Sequence, residues 1–307
     1  MRFDLITILG PTATGKTRLA ARLANEFNGE IISADSRQVY KYMDIGTGKD
    51  LNDYIVENKS IPFHLIDIAE PFDEYNVYQF KNDFYDAYKI INKNKKQPFL
   101  VGGTGLYLSS ILQDYDLKES LHSGERIKEL EMLPEGELRR ILLILNPKQH
   151  NTTDLINKDR IIKAILIAES NDHKISDSKN QISSLNIGIK YSRSEIKKRI
   201  IERLKKRFDE GMIDEVKKLS AMGVTNEKLK FFGLEYKYIA LFLDGKLNYN
   251  EMFQKLNIAI HSFAKRQMTW FRKMEREGVK INWFDGGDYN IILNFIVKQL
   301  GNDTKSA

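Results

Sequence analysis

The chain has 307 residues, enough for one large domain or two smaller ones with a substantial buried core. Hydrophobic residues make up 42% and charged residues 29%, and no apolar run approaches the roughly 18 residues of a membrane helix, so a soluble protein with no membrane partner is expected. The lack of any cysteine excludes disulfides, thiolate metal sites and cysteine nucleophiles, while a net charge of +6 suits a polyanionic partner.

The first strand candidate, Leu5–Leu9, follows a start with an acid and no small-residue cleavage site, which argues against a secretory signal and for the cytoplasm. Further apolar runs at 30–34, 63–67 and 99–101 end in Gly, Asp or polar turns, with helical periodicity between them. Strand alternating with helix predicts βαβ units and a parallel sheet. Later strand candidates at 185–189 and 280–284 imply that both ends of the chain feed one sheet. Residues 115–185 differ. Helical patterns at 126–133, 135–145 and 159–170 precede a polar loop at 170–184, so a helical insertion is expected between core segments 1–114 and 186–307. Beyond it, one long helix is expected from 192 to about 222, and a flexible tail at 301–307.

The strongest local signal is Gly10-Pro11-Thr12-Ala13-Thr14-Gly15-Lys16-Thr17, between the strand Leu5–Leu9 and a helical stretch at 18–27. It is a P-loop in its strand–loop–helix context. Its glycines let backbone N–H groups converge on phosphate oxygens, and the helix N-terminus adds a favourable dipole. Lys16 supplies a point charge, and the Thr17 hydroxyl can ligate Mg²⁺. The motif alone specifies a diphosphate or triphosphate, without choosing ATP or phosphoryl transfer. In an open α/β sheet, ligands sit beyond the carboxyl ends of strands. That puts Asp35, after the second strand, beside the phosphates, where it can accept a proton or meet Mg²⁺ through water. The Gly102-Gly103-Thr104-Gly105 turn ends another strand and offers a hydroxyl.

In order and spacing, the blocks GPTATGKT at 10–17, ISADSRQVYKYMDIGTGK at 32–49, PFHLIDI at 62–68, GGTGLY at 102–107, NPKQHNTTDLINKDRIIKAILIAE at 146–169, KRIIERLKKRFDEGMIDEV at 198–216 and AKRQMTWFRK at 264–273 resemble the tRNA dimethylallyltransferase (tRNA isopentenyltransferase) family, with no zinc finger and hence of the bacterial type. The resemblance spans nearly the whole chain. It implies an α/β fold with a P-loop NTPase-like core and parallel sheet, plus a helical insertion that contacts tRNA. The implied reaction is attack by N6 of the adenosine beside the anticodon on C1 of dimethylallyl diphosphate, with Mg²⁺ as cofactor and diphosphate leaving. The P-loop would then hold diphosphate rather than ATP, through Gly10, Pro11, Thr12, Ala13, Thr14, Gly15, Lys16 and Thr17, with Thr17 as metal ligand.

Catalytic roles carry over to Asp35 as general base, to Thr104, and to Arg203, which matches a diphosphate clamp. Matches to tRNA contacts are Asp35, Ser36, Arg37, Gln38, Thr104, Arg126, Asp159, Arg160, Lys163, Gly233 within 232–237, Lys265, Arg266 and Gln267. The partner is the anticodon stem-loop, and a monomer is expected.

Some residues depart from the family pattern. Asn157 replaces the leading acid of D-x-x-R-x-x-R-A-L-E, and Lys163 its second arginine. Gly233-Leu234-Glu235-Tyr236-Lys237 stands for the usual G-Y-[KR]. These changes bear on tRNA choice rather than on the chemistry. Charge placement points to RNA independently: Lys197, Lys198, Arg199, Arg203, Lys205, Lys206 and Arg207 cluster around a single acid, Glu202, and Lys265, Arg266, Arg272 and Lys273 flank Trp270 and Phe271. Rival readings are a P-loop small-molecule kinase, a prenyltransferase of free adenosine nucleotide, and a non-catalytic RNA-binding protein. Intact Lys16, Thr17 and Asp35 oppose the last.

Overall fold

A computed structural model describes residues 3–114, 124–145, 158–169 and 182–301. The chain divides into two units, Met1–Tyr115 with Gln181–Ala307, and Asp116–Asn180. The first unit begins β1 (Leu5–Leu9), α1 (Lys16–Glu26), β2 (Gly29–Ala34), a short hairpin of β3 (Ile55–Val56) and β4 (Lys59–Ser60), β5 (Phe63–His64), α2 (Val77–Lys93), β6 (Gln97–Gly102) and α3 (Gly105–Leu112). The second unit holds α4 (Gly124–Met132), α5 (Glu135–Leu145) and α6 (Lys158–Glu169). The first unit then resumes with β7 (Ser184–Lys190), α7 (Arg193–Asp209), α8 (Met212–Ala221), α9 (Asn226–Phe232), α10 (Leu234–Leu243), α11 (Tyr249–Arg276), β8 (Ile281–Asp285) and α12 (Tyr289–Gly301).

Six strands form a parallel sheet in the order β5-β2-β6-β1-β7-β8, so strands from both ends of the chain do meet. Side chains alternate between its faces. Ile6, Ile8, Ile31, Phe99 and Val101 join one core, and Leu5, Leu9, Ile32, Ala34 and Leu100 the other. Each buried Leu, Ile, Val or Phe among them contributes about 1.5–3 kcal/mol. Because both faces are covered, these strands read as unbroken apolar runs rather than alternating ones. A third core packs α8–α11 around Val39, Tyr40 and Met43. The second unit has its own small core, including Leu130, Leu138, Leu142, Ile161 and Ile165.

Two expected elements are corrected. The strand at 63–67 stops at His64: Leu65 and Asp67 take positive φ, and the N–H groups of residues 67–69 bond to the carbonyls of Gln38 and Val39 instead of extending the β2 ladder. The single helix over 192–222 is two helices, because Gly211 sits at φ 97, outside helical space, and heads α8. Ser192 caps α7 by accepting the N–H of Glu195. Most of the expected polar loop at 170–184, and all but the first residue of the 301–307 tail, lie outside the described residues.

Candidate active site

Sheet register brings three turns to one edge. Leu9 pairs with Gly102 and Gly188, and Ala34 also pairs with Gly102. The strands β1, β2 and β6 therefore end at one level. The P-loop, the Asp35 segment and the Gly103-Thr104 turn all leave from that carboxyl edge. Glycine is required there: a Cβ on Gly102 would lie 2.2 Å from the Ala34 carbonyl oxygen.

The P-loop is shaped by positive φ at Gly10 (157), Ala13 (63) and Gly15 (77). Gly15 heads α1, whose first turn carries no acid, so the helix dipole opens toward the loop unopposed. The Lys16 ammonium donates to the Pro11 carbonyl at 2.7 Å, as does the Thr14 hydroxyl at 2.9 Å. Burial, and then the charge of Arg203, push the Lys16 pKa down to about 7, while Asp35 opposes them. An anion in the loop would favour the ammonium and reverse that shift.

Helix α7 supplies three arginines at four-residue spacing, which puts them on one face. Arg199 donates through Nε to the Ala13 carbonyl at 2.8 Å, and Arg203 through Nη1 to the Thr12 hydroxyl at 3.2 Å. The other arm of Arg203 lies 3.4 Å from Asp50. Arg207 is buried, 3.5 Å from Glu235. Burial and the neighbouring Arg207 bring the Arg203 pKa to about 10. The two guanidinium groups converge over Gly48, where a Cβ would fall within 2.1 Å of both. Like charges this close, together with Lys16, make a site that an oligophosphate would neutralise.

Asp35 is half-buried just past β2, and its Oδ1 accepts the Arg37 N–H at 2.9 Å. Its negative charge is felt by Lys16, Arg37 and Arg203. The Thr104 hydroxyl oxygen accepts the Ser36 N–H at 3.1 Å, and the Thr104 N–H donates to the Ala34 carbonyl at 3.2 Å. The Thr104 hydroxyl also donates to the Ser36 hydroxyl at 3.4 Å, so three hydrogen bonds join the Asp35 and Thr104 turns. The Arg37 guanidinium lies 5.0 Å from the Phe231 ring centroid, and burial lowers its pKa. Gly233, with φ 146, separates α9 from α10.

Two residues matched to RNA contact are turned inward. Gln38 is buried, accepts the Ser33 hydroxyl at 3.3 Å, and donates to the Gly48 carbonyl at 3.0 Å. Gln267 is buried too, and both ends of its amide bond backbone. Lys265 and Arg266, beside it on α11, are exposed. In the second unit, Arg126 bonds Glu169 at 2.5 Å and Glu129 at 2.9 Å. Asp159, Arg160 and Lys163 lie on α6.

Sequence reading missed the supports beneath the site. Glu215 accepts the N–H groups of Asp44, Ile45 and Gly46 at 2.6–2.9 Å and the Tyr236 hydroxyl at 2.7 Å, which fixes the loop that carries Gly48. The buried Lys49 ammonium bonds the Tyr40 carbonyl, Asp44 and Asp67. No local pattern marks Glu215. The arginine spacing in α7 was a readable signal for Arg199 and Arg207.

Among the described residues, no group of three or more His, Asp or Glu could hold a metal ion by itself. Thr17, in the first turn of α1, offers one hard oxygen. Mg²⁺ commonly completes its shell with water and substrate phosphate oxygens, so a metal that arrives with the substrate fits this donor set.

Known proteins resemble the chain along most of its length. The model of the IPP transferase family matches residues 38–274, and that of the isopentenyl transferase family matches 3–63. The chain is 50% identical to tRNA dimethylallyltransferase 2 of Phocaeicola vulgatus, covering 92% of this chain and 93% of that protein. It is 46% identical to tRNA dimethylallyltransferase 1 of Syntrophus aciditrophicus, covering 95% and 97%. The crystal structure of a tRNA isopentenylpyrophosphate transferase from Bacillus halodurans aligns at 32% identity with a TM-score of 0.70, covering 98% of both chains.

Proposed function

The chain belongs to the IPP transferase family, and from that membership we propose that it transfers a dimethylallyl group from dimethylallyl diphosphate to N6 of the adenosine adjacent to the tRNA anticodon. The observation that carries this reading is the sheet register, which ends β1, β2 and β6 at one level and so sets Asp35, just past β2, at the same edge as the phosphate loop and the Thr104 turn. A base stationed next to a diphosphate site suits displacement of diphosphate by an amine.

Lys16, Arg203 and the N–H groups heading α1 hold the diphosphate. The C1–O bond breaks and its electron pair leaves with the diphosphate. The N6 lone pair forms the new N–C1 bond, and the N6 proton passes to the Asp35 carboxylate. Thr104, bonded to the Asp35 turn, orients the adenine. Mg²⁺ held by Thr17 and the diphosphate would offset the charge that builds on the leaving group. The target base must leave its stack to reach C1. Exposed Lys265 and Arg266 supply phosphate contacts on the RNA side. No described helix is long and apolar enough to cross a membrane. A cytoplasmic monomer is part of the proposal.

Incubation with dimethylallyl diphosphate labelled in the prenyl group, with tRNA, AMP or no acceptor, tests the reading. Label is expected in tRNA and absent from AMP. Label confined to AMP selects a nucleotide prenyltransferase, and no transfer at all rejects the reaction.

A further inference from the structure

Helix α11 reaches into two of the three turns at the sheet edge through one side chain. Gln267 Oε1 accepts the Thr12 N–H at 2.9 Å, and Gln267 Nε2 donates to the Gly103 carbonyl at 2.9 Å. Thr12 belongs to the phosphate loop, and its hydroxyl accepts from Arg203. Gly103 precedes Thr104 in the other turn. Gln267 is 8% exposed, and a Cβ on Gly103 would lie 2.5 Å from its Nε2, so the amide abuts backbone with no room between. One helical turn later, Trp270 covers Gly105, where a Cβ would lie 2.3 Å from the indole, and Nε1 donates to the Ser109 hydroxyl at 2.8 Å. Thr104 is thus pinned by α11 on both sides.

We propose that Gln267 is a positioning residue for prenyl transfer: its amide sets the spacing between the loop that grips the diphosphate and the turn that carries Thr104. The proposal rests on the assignment of donor and acceptor to those two turns. The chemistry of the bridge is demanding. One end must accept from an N–H and the other donate to a C=O, which a primary amide does and a carboxylate does not. The bridge touches neither reacting atom. It acts through geometry, to which transfer between two bound groups is steeply sensitive.

The test uses full-length Gln267→Ala and Gln267→Glu with dimethylallyl diphosphate and tRNA. Gln267→Ala should lose about a hundredfold in kcat, the scale of a misplacement near 1 Å, with the KM for tRNA unchanged. In Gln267→Glu the ionised carboxylate still accepts from Thr12 but faces the Gly103 oxygen without a proton. Protonation restores the donor, so the ratio of variant to wild-type kcat should rise as pH falls. A merely structural role would move diphosphate affinity and thermal stability together with kcat, whereas a positioning role moves kcat while both stay at their wild-type values. Calorimetric binding of inorganic diphosphate reports whether each variant keeps its loop.

Wild-type kcat in Gln267→Ala, a loss confined to the KM for tRNA, or a Gln267→Glu ratio flat with pH would overturn the proposal while leaving the function intact. The second outcome would mean that the side chain contacts RNA. A wild-type enzyme that fails to label tRNA overturns the function, and the proposal with it.

Discussion

Replacing Asp35 by asparagine is expected to lower kcat by about 10²- to 10⁴-fold, the range that a positioned proton acceptor contributes. The substitution is nearly isosteric. Oδ1 of the amide can still accept the Arg37 N–H, so the turn that joins residues 35 and 104 keeps its hydrogen bonds. What is lost is an oxygen able to take the N6 proton as charge builds on the amine. Donor binding should move the other way. Removing a carboxylate whose charge acts on Lys16 and Arg203 leaves more uncompensated positive charge for the diphosphate. Single-turnover rates and the donor Kd, measured side by side, check both directions. A variant that binds donor more weakly and transfers at the wild-type rate would make Asp35 a binding residue, not a base.

Lys16→Met should weaken diphosphate binding about ten- to a hundredfold, the worth of about 1.5–3 kcal/mol for a hydrogen bond to a charged group. It should also remove a pH dependence. In the free enzyme the lysine pKa is held down to about 7, so above that pH it is mostly neutral. Binding a diphosphate requires the ammonium and therefore takes up a proton. Wild-type affinity should be full below about pH 7 and fall as pH rises through it, tenfold per pH unit, until the raised pKa of the bound lysine is reached. Comparison with Lys16→Met cancels titration of the diphosphate itself. Calorimetry at pH 8 in buffers of different ionisation enthalpy should detect more proton uptake in the wild type than in the variant, the difference belonging to the lysine. Equal pH profiles would show that Lys16 stays charged in the free site.

The parts of the site that could be read from sequence are those whose partners are local. The P-loop declares itself because its glycines, Lys16 and Thr17 act within eight consecutive residues. Asp35 and Thr104 follow strands recognisable as apolar runs, and a parallel sheet brings strand ends together by topology. Gln267 and Glu215 could not be placed in this way. Their backbone partners lie 255 and 171 residues away in Thr12 and Asp44, and nothing near 267 or 215 in the chain marks a bridge. The match to family tRNA-contact motifs sets Gln38 beside Arg37 and Gln267 beside Arg266 on the RNA side, whereas hydrogen bonds to backbone draw both glutamines inside. The break between α7 and α8 had a visible cause in Gly211. The apolar periodicity continues across it, from Leu204 to Met212 and Val216, and that concealed the stop.

Competition for the phosphate loop tests most directly whether it grips a prenyl diphosphate. With labelled dimethylallyl diphosphate bound, inorganic diphosphate should displace the label at concentrations near its own Kd, while ATP should displace it only at far higher concentrations. Displacement by ATP at near-equal affinity would contradict the assignment and return the loop to nucleotide chemistry.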